Sequence, residues 1–336
     1  MSRSDTVLPY RAQEGHGARN RGESVVVIAN PKAGGGRAGA DRKRVEGAVT
    51  RAFEHARVWW TAGPGDAAKL ARRAATEADI VVALGGDGTA HEVVDGLFER
   101  GVPVNRRVIF SVIPFGTGGD LVRSLEVPQG LDAALWVCST GMTLPLDVGR
   151  LDWPDGRVGT FINVAGFGAN AEVCRLVNVS DKRWGGRVTF LGSILRTLQT
   201  WRPIPVTWSW EGPDGAGSIE MNTLAAFCAN GHYCGAGLWV GRGGDMSDGL
   251  FELTVIPSLS PLRAASLLPQ VYSGRFQGVA GVVRVRAHRV EVASAVPIEA
   301  DGEVMGAGPV VVSVLPRALQ VRGGWLRPPG TPEGDL

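Results

Sequence analysis

Short apolar runs alternate with longer segments of helical period through the first half of this chain. The runs predict strands at residues 25–29, 57–60, 80–84 and 108–113. The segments between and after them predict helices at residues 37–53, 66–76, 89–98 and 131–138. Because the strands show no polar alternation and helices separate them, they predict a parallel sheet that is covered on both faces. The first half is therefore expected to form a doubly wound α/β domain.

The pattern changes near Leu144, where period-two runs, glycines and prolines replace the helical segments. Strands are predicted at residues 206–210, 223–228, 250–256, 284–292 and 310–314. One helix is predicted among them, at residues 189–200, and Pro203 stops it. The second half is therefore expected to be a mostly antiparallel β-sandwich.

Two domains between two tails follow from this change of pattern, and a length of 336 residues fits two domains. The expected limits are a tail at 1–23, an α/β domain at 24–145, a β-rich domain at 146–327 and a tail at 328–336. The last segment of the β-rich domain is a candidate for packing back on the first domain. The first tail is polar and lacks the apolar segment of a signal peptide, and no apolar run approaches the roughly 20 residues of a bilayer span.

Composition and charge say little about partners, because the net charge is only +2. A basic cluster of Lys182, Arg183 and Arg187 surrounds Trp184, and it either faces a membrane or an anionic ligand or is a solvated face. Nucleic-acid binding gets no support. Four cysteines without Cys-x-x-Cys spacing are expected to be reduced, mostly buried thiols of a cytoplasmic protein.

Three glycine-rich turns follow predicted strands of the first half, which is where an open α/β sheet binds ligands. The first, at residues 29–37, is either a tight turn or a cradle of backbone N–H groups for phosphate. The second, at residues 84–89, surrounds Asp87 with glycines and lets a ligand approach the backbone closely. Because a carboxylate repels phosphate unless a cation lies between them, this turn predicts Mg²⁺.

The third turn, at residues 113–121, again joins glycines to a hydroxyl and a carboxylate, those of Thr117 and Asp120. One such turn has no special meaning. Three at the same edge of a sheet predict a nucleotide site.

In this order, the three turns resemble those of the diacylglycerol kinase catalytic family, which includes bacterial lipid kinases, sphingosine kinases and ceramide kinase. The resemblance continues through motifs at residues 146–150, 163–168, 229–231, 247–250 and 300–303, so it covers about residues 25–326. The Gly-Gly-Asp-Gly-Thr run at 85–89 is shared with NAD kinases and phosphofructokinases, whereas the full ordered set is far more specific. The resemblance implies an NAD-kinase-like first domain, with ATP and Mg²⁺ as cofactors.

The same resemblance implies a role for each matching residue. ATP would be bound by Asn30, Thr61, Gly85, Gly86, Asp87, Gly88, Thr89, Ala90, His91, Gly116 and Thr117. Asp87, Asp120 and Asp301 would form an acidic network that organises Mg²⁺ and water. Glu303 would accept the proton of the acceptor hydroxyl.

Two further roles belong to the second half. A structural Mg²⁺ would be held by the Asp248 carboxylate and by the backbone oxygens of Asp245 and Leu250. Asp147 would either bind the lipid hydroxyl or be a structural carboxylate at the domain junction.

Three positions depart from the usual pattern of the family. Ala33 stands where a serine is usual and Gly119 where an asparagine is usual. His91 stands where asparagine is usual, although histidine also occurs there in sphingosine-type members.

Three functional hypotheses follow. The first is an ATP- and Mg²⁺-dependent lipid kinase that phosphorylates a diacylglycerol or sphingosine-like acceptor at a membrane surface, as a cytoplasmic protein with peripheral contact to the inner membrane face. The second keeps phosphoryl transfer but has a soluble acceptor such as NAD. The third is a non-catalytic lipid- or nucleotide-binding protein.

Overall fold

The computed structural model of the chain describes residues 20–115, 119–180, 186–241, 245–273 and 279–325. The elements of the first half are β1 (Asn20–Ala29), α1 (Arg37–Ala40), α2 (Arg42–Ala52), β2 (Phe53–Trp60), α3 (Asp66–Glu77), β3 (Ile80–Gly85), α4 (Asp87–Gly96), β4 (Phe98–Glu99), β5 (Val102–Pro103), β6 (Ile109–Pro114), α5 (Asp120–Ser124) and α6 (Leu131–Thr140).

The second half begins with β7. Its elements are β7 (Met142–Asp152), β8 (Val158–Phe161), β9 (Val164–Gly168), α7 (Ala169–Val179), α8 (Gly186–Thr200), β10 (Ile204–Gly212), β11 (Gly215–Ala229), β12 (Tyr233–Cys234), β13 (Leu238–Trp239), β14 (Phe251–Pro257), α9 (Pro261–Tyr272), β15 (Val283–Ala287), β16 (Arg289–Val292), β17 (Pro297–Ala300), β18 (Glu303–Ala307) and β19 (Val310–Gly323).

A parallel sheet forms the centre of the first half. Its strands lie in the order β6, β3, β1, β2, and all neighbours are parallel. Helix α3 packs on α4 and α2 packs on α6, so the sheet carries helices on both faces. Every residue of β3 is buried in consequence, which explains its unbroken apolar run. The predicted doubly wound α/β architecture is confirmed.

Antiparallel strands form the second half, as predicted. The long strand β11 pairs with β10 over its first part and with β9 and β14 over its last part. Aromatic side chains fill the core between the strands. Phe167 meets Trp208 edge to face, and Phe161 stacks on Phe251, each pair with ring centroids 5.4 Å apart.

Two long strands, β7 and β19, run through both halves. β19 pairs with β16 near its start and lies parallel to β6 at Gln320 and Val321. β7 follows β19 in antiparallel register, with a shift between Leu315 and Leu319. The last described strand therefore adds to the parallel sheet of the first half.

Asp147 stabilises the junction between β7 and β19 by accepting backbone hydrogen bonds. It lies in β7 and is fully buried. Its Oδ1 atom accepts the N–H of Arg317 at 2.7 Å, inside the register shift of β19, and its Oδ2 atom accepts the N–H of Gly249 at 2.6 Å. Because Arg317 has a φ of +49°, this hydrogen bond holds a residue in a conformation that arginine adopts at a cost.

Three helices, α7, α8 and α9, cover one part of the second half and share an apolar cluster with β11. The sequence predicts only α8, so the expectation of one helix is wrong. Helix α9 has a recognisable start, since the Ser260 hydroxyl accepts the N–H of Arg263 just before Pro261. Pro269 inside the helix disguises it, because proline usually ends a helix.

Two predicted elements are each divided in two. The helix predicted at residues 37–53 is two helices that meet at Asp41, and Phe53 already begins β2. The first of them, α1, lies close to Pro31, where a Cβ on Gly39 would lie 2.8 Å from the Pro31 carbonyl oxygen. The strand predicted at residues 284–292 is two strands, because β15 pairs with β14 whereas β16 pairs with β10 and β19.

Among the described residues, no helix combines the length and the apolar character that crossing a bilayer requires.

We expect Asp147→Asn to lower the free energy of unfolding by about 1–3 kcal/mol, because one amide oxygen replaces two acceptors that bind separate backbone N–H groups. Urea denaturation measures this change. The matched control is Asp152→Asn in the same strand, whose carboxylate pairs with the partly exposed Arg150 and should cost less than about 1 kcal/mol. Equal losses in the two variants would contradict the role of Asp147 in the junction.

Candidate active site

A cleft of about 910 Å³ lies at the carboxyl ends of β1, β2 and β3. Its opposite wall comes from the second half, including the starts of α7 and β18. Predicted site residues that line it are Asn30, Thr61, Gly86, Asp87, Gly88, Thr89, His91, Asp120, Asp301 and Glu303. The structure therefore brings most of the predicted residues to one place. Gly85 and Ala90 belong to the same turn but do not line the cleft, and Gly116 and Thr117 lie outside the described residues.

The first glycine turn has the backbone that its sequence requires. Gly34, Gly35 and Gly36 have φ values of 62°, 71° and 90°, in the left-handed region that favours glycine. Asn30 fixes the start of the turn, because its Oδ1 atom accepts the N–H of Lys32 at 2.9 Å and its Nδ2 atom donates to Thr89 Oγ1 at 3.2 Å. The first and second turns are thus joined by a hydrogen bond.

Lys32 and Arg37 from the same turn also line the cleft. The Arg37 guanidinium donates to the Gly34 carbonyl at 2.9 Å. These two cations give the turn a positive charge that suits phosphate. The glycine pattern predicted phosphate binding by the backbone of this turn, but it did not predict a role for the two basic side chains.

The second turn runs directly into α4. The helix begins at Asp87, with Gly86 as its N-cap. Gly85 is required because a Cβ there would lie 2.4 Å from Thr89 Oγ1. The turn therefore aims the N-terminus of α4 into the cleft, an orientation that favours an anion.

Of the two Asp87 carboxylate oxygens, one accepts a hydrogen bond from the described residues and the other does not. Its Oδ2 atom accepts the N–H of Gly119 at 3.1 Å, whereas its Oδ1 atom is buried and has no hydrogen-bond partner among the described residues. Burial and the charge of Asp120 raise the pKa of Asp87 to about 6, against the N–H groups of Gly119 and Asp120. Gly119 has a φ of +143°, which suits glycine and not the asparagine usual at this position.

Asp120 lies next to Asp87 and connects the two halves of the chain. Its Oδ2 atom accepts the N–H of Ala236 at 2.8 Å, and its Oδ1 atom is 3.7 Å from the guanidinium of Arg123. The Asp87 carboxylate of the second turn and the Asp120 carboxylate of the third turn therefore reach the same region of the cleft.

Asp87 and Asp120 fit a divalent cation. A buried carboxylate oxygen without a partner, beside a second carboxylate, is a suitable donor set for Mg²⁺. The described residues contain no cluster of three or more ligating side chains that is complete by itself. A cation here would therefore take its remaining ligands from phosphate oxygens or water, as Mg²⁺ commonly does.

Asp301 has a different environment from the other two aspartates. Its carboxylate accepts the N–H groups of Ile162, Asn163 and Val164 at 2.9–3.0 Å, and it lies 3.4 Å from Nδ1 of His91. Burial lowers the pKa of His91, but the hydrogen bond to Asp301 and the neighbouring carboxylates outweigh burial and raise it. Asp301 therefore anchors the turn before β18 and faces the imidazole of His91 from the first half.

Glu303 lies across the cleft from the second turn. A Cβ on Gly88 would come within 2.8 Å of Glu303 Oε1, so the glycine allows this carboxylate to approach the start of α4. Glu303 is the first residue of β18, two positions after the anchored Asp301. The geometry puts it where a group bound at the N-terminus of α4 would meet it.

Thr61 lies at the far end of the cleft, and its N–H donates to the Ala29 carbonyl at 3.0 Å. The segment after it is held by Glu92, which the sequence analysis did not single out. The two Glu92 oxygens accept the N–H groups of Gly65 and Ala67 at 2.9 and 3.1 Å. Glu92 follows His91 in α4, so the same helix contributes His91 to the cleft and fixes the segment after Thr61.

Two of the predicted sites do not join the cleft. Asp147 does not line it, and both of its carboxylate oxygens bind backbone N–H groups of the strand junction. The geometry matches the structural alternative for this residue.

The turn at residues 245–250 does not fit the predicted structural Mg²⁺ as it stands. Asp248 Oδ2 pairs with the guanidinium of Arg286, and Asp248 Oδ1 accepts the N–H of Leu250 at 3.0 Å. Asp245 Oδ1 accepts both the N–H and the hydroxyl of Ser247. Arg286 thus supplies the positive charge that the resemblance assigned to a metal, and a metal at this turn stays a prediction.

Glu299 and Asn170 are polar residues of the cleft that the sequence analysis missed. Asn170 Nδ2 donates to Glu299 Oε1 at 2.5 Å, and the N–H of Gly302 donates to Glu299 Oε2 at 2.9 Å. Burial raises the pKa of Glu299 to about 8. Glu299 belongs to β17, whereas Asp301 lies in the turn that follows it. The closeness of Glu299 along the chain to the motif at residues 300–303 is the signal that was available.

An apolar cavity adjoins the cleft beneath α7, α8 and α9. Its lining is apolar apart from Asn170 and Thr197 and includes Ile194, Leu224 and Ala264. Asn170 and Phe190 line both the cavity and the cleft. The two spaces therefore meet at these residues, with the carboxylates on one side and apolar walls on the other.

Comparison with known proteins agrees with this arrangement. Residues 24–151 match the family "Diacylglycerol kinase catalytic domain", and residues 163–323 match "YegS C-terminal NAD kinase beta sandwich-like domain". The chain is 30% identical over 311 residues to a diacylglycerol kinase of Mycobacterium tuberculosis (strain ATCC 25618 / H37Rv), a match that covers 90% of this chain and 95% of that protein.

Two further relatives show the same pattern. A diacylglycerol kinase of Bacillus subtilis (strain 168) is 28% identical over 250 residues, which covers 73% of this chain and 78% of the relative. The crystal structure of a diacylglycerol kinase from Bacillus anthracis str. Sterne has the same fold, with a TM-score of 0.66, 21% identity and coverage of 90% and 97% of the two chains.

We expect Asp87→Asn to stabilise the metal-free protein at pH 8 and to leave its stability near that of the parent at pH 4. The folded pKa of about 6 lies above the ordinary 3.8, so this carboxyl's contribution to stability is present below about pH 3.8 and is lost as pH rises through 6. The gain at pH 8 is at most about 3 kcal/mol. Urea denaturation in EDTA at both pH values measures it.

The control for this experiment is Asp214→Asn, the same change at an exposed turn residue. It should shift stability by less than about 0.5 kcal/mol. A gain for Asp87→Asn that does not depend on pH would contradict the raised pKa.

Proposed function

Because the chain belongs to the diacylglycerol kinase family of lipid kinases, we propose that it transfers the γ-phosphate of ATP to the hydroxyl group of a lipid. The observation that carries this proposal is the meeting of the acidic cleft and the apolar cavity at Asn170 and Phe190. A hydroxyl-bearing head group reaches the carboxylates from this junction while its chain stays among apolar side chains. A soluble acceptor such as NAD has no use for such a cavity.

Binding of ATP is assigned to the first half. The adenosine end lies toward Thr61, and the phosphates lie against the glycine turns, Lys32 and the N-terminus of α4. Asp87 and Asp120 hold Mg²⁺, which neutralises phosphate charge when it is bound. The segment fixed by Glu92 and the Asn30–Thr89 hydrogen bond keep these elements in register.

Glu303 takes the proton of the acceptor hydroxyl. The hydroxyl oxygen forms a bond to the γ-phosphorus as the bond from that phosphorus to the β,γ-bridging oxygen breaks, and the proton moves to the Glu303 carboxylate. The position of Glu303 over Gly88 supports this role, because the start of α4 is where the γ-phosphate is expected. Asp301 is a positioning residue in this scheme, since its three backbone hydrogen bonds fix the turn that carries Glu303.

Because a lipid acceptor lies in a membrane, phosphoryl transfer takes place at a membrane surface. ATP as the donor implies the cytoplasmic side. We therefore extend the proposal to a cytoplasmic protein that makes peripheral contact with the inner membrane face.

We expect Glu303→Gln to lower turnover about 10²–10⁴-fold, the usual contribution of a general base, while the affinity for ATP changes little. The assay combines purified protein, labelled ATP and Mg²⁺ with a lipid extract in one arm and NAD in the other. Glu291→Gln makes the same change on an exposed strand outside the cleft and should keep full activity.

Each outcome of that assay decides a different point. Parental turnover in Glu303→Gln would remove the proposed base. Labelled NAD without labelled lipid would overturn the acceptor. Binding of ATP and lipid without any phosphorylated product would favour a non-catalytic protein.

We expect Ala264→Phe to slow phosphorylation of long-chain acceptors by at least about tenfold, because the added ring fills the apolar cavity. Acceptors with short chains should be affected less, and ATP affinity should not change. Ala265→Phe, at the adjacent residue outside the cavity lining, is the control. Thermal melting of both variants checks that they are folded. An equal loss for short and long chains would contradict the use of the cavity by the acceptor.

A further inference from the structure

Exposed apolar side chains are concentrated around the three helices that cover the cavity. Of ten large apolar side chains that are exposed in the described part of the chain, six lie on α7, α8 and α9: Val179, Val188, Leu191, Leu195, Leu262 and Tyr272. Leu262, at the start of α9, is 86% exposed. Such a concentration on three helices that pack against one another differs from the scattered single exposures that are normal for a protein.

Helix α8 carries apolar side chains on two neighbouring faces, one buried and one exposed. Phe190, Ile194 and Leu198 face inward and line the cavity. Val188, Leu191 and Leu195, which follow one another at intervals of three and four residues, share the outward face and are exposed. An apolar helix face is normally covered, by protein in a core or by lipid at a membrane. Among the described residues, the face of Phe190, Ile194 and Leu198 is covered, whereas Val188, Leu191 and Leu195 stay exposed.

The charge on α8 and α9 is of one sign, whereas α7 carries the paired Glu172 and Arg175. The sequences of α8 and α9 contain three arginines and neither aspartate nor glutamate. Arg196 and Arg263 are exposed beside the apolar residues. Apolar side chains flanked by arginines match the interfacial layer of an anionic bilayer, where the chains enter the acyl region and the guanidinium groups meet the lipid phosphates.

We infer that the outward face of α8 together with Leu262 of α9 is the surface by which this protein docks on an anionic lipid bilayer. We call this set of residues (Val188, Leu191, Leu195 and Leu262) the docking face. A second copy of the chain is a poorer occupant, because it would bring the arginines of two molecules together without an acidic partner on either helix.

The inference deepens the proposed function and rests on it in one respect. The helices that carry the docking face also line the apolar cavity, so docking brings the bilayer close to the space that is proposed to hold the lipid chain. A short path between the two limits the exposure of that chain to water. The lipid hydroxyl then reaches the junction with the cleft at Asn170 and Phe190. Docking itself requires neither ATP nor phosphoryl transfer.

The test is flotation of the full chain with vesicles of phosphatidylcholine mixed with phosphatidylglycerol, in the absence of ATP. We expect Leu191→Gln and Leu262→Gln each to weaken vesicle binding roughly tenfold, since each removes one large apolar side chain from the bilayer. Arg263→Gln should weaken it roughly fivefold and reduce its sensitivity to salt. Val102→Gln, at a residue that is 57% exposed in the first half, should bind as the parent does.

The results separate this inference from the proposed function. Parental vesicle binding by Leu191→Gln and Leu262→Gln would overturn the docking face. A parent that sediments as a dimer, and variants that sediment as monomers, would assign the face to a second copy. Phosphorylation of detergent-dispersed lipid should persist in both variants, because neither residue lines the cleft or the cavity. Vesicle binding without lipid phosphorylation would leave docking intact and refute the kinase.

Discussion

Repulsion among carboxylates that face one cleft is the constraint on which the site depends. Asp87, Asp120 and Asp301 approach one another in partly buried surroundings. Burial first, and then the charges of Asp120 and Asp301, make ionisation of Asp87 costly and raise its pKa. The protein offsets that cost with bonds that cross between its halves. Asp120 accepts the N–H of Ala236, and Asp301 faces His91. Asp120 and Asp301 therefore also link the two walls of the cleft. The Asp87 oxygen that has no partner among the described residues is the atom that a cation would bind.

The two halves supply opposite kinds of surface to one site. Parallel strands bring backbone N–H groups and basic side chains to the edge of a sheet, a polar environment suited to phosphate. Antiparallel strands with three covering helices enclose apolar space. Asn170 and Phe190 stand at the boundary between the two environments. Chemistry that joins a charged donor to an apolar acceptor needs this kind of boundary, and neither half provides it without the other.

Sequence reasoning was most successful where local pattern and long-range structure agree. The apolar run of β3 and the glycines of the turns reflect burial on both faces and left-handed φ values, so they could be interpreted without knowing the fold. It failed where distant contacts decide. Pro269 disguises α9, a change of partner divides the strand predicted at residues 284–292, and Asp147 binds groups 102 and 170 positions away. The roles of Glu299 and Glu92 likewise depend on donors that only the folded chain brings near.

The path of β19 has a consequence for folding of the chain during its synthesis on the ribosome. Residues 320 and 321 lie beside Ile109 and Phe110 in the parallel sheet, so the edge of β6 stays open until nearly the whole polypeptide has been translated. An open edge of this kind invites pairing with foreign strands. A shortened gene product that stops before residue 310 would keep all three glycine turns, yet it would leave that edge exposed and lack the seam that unites the two halves.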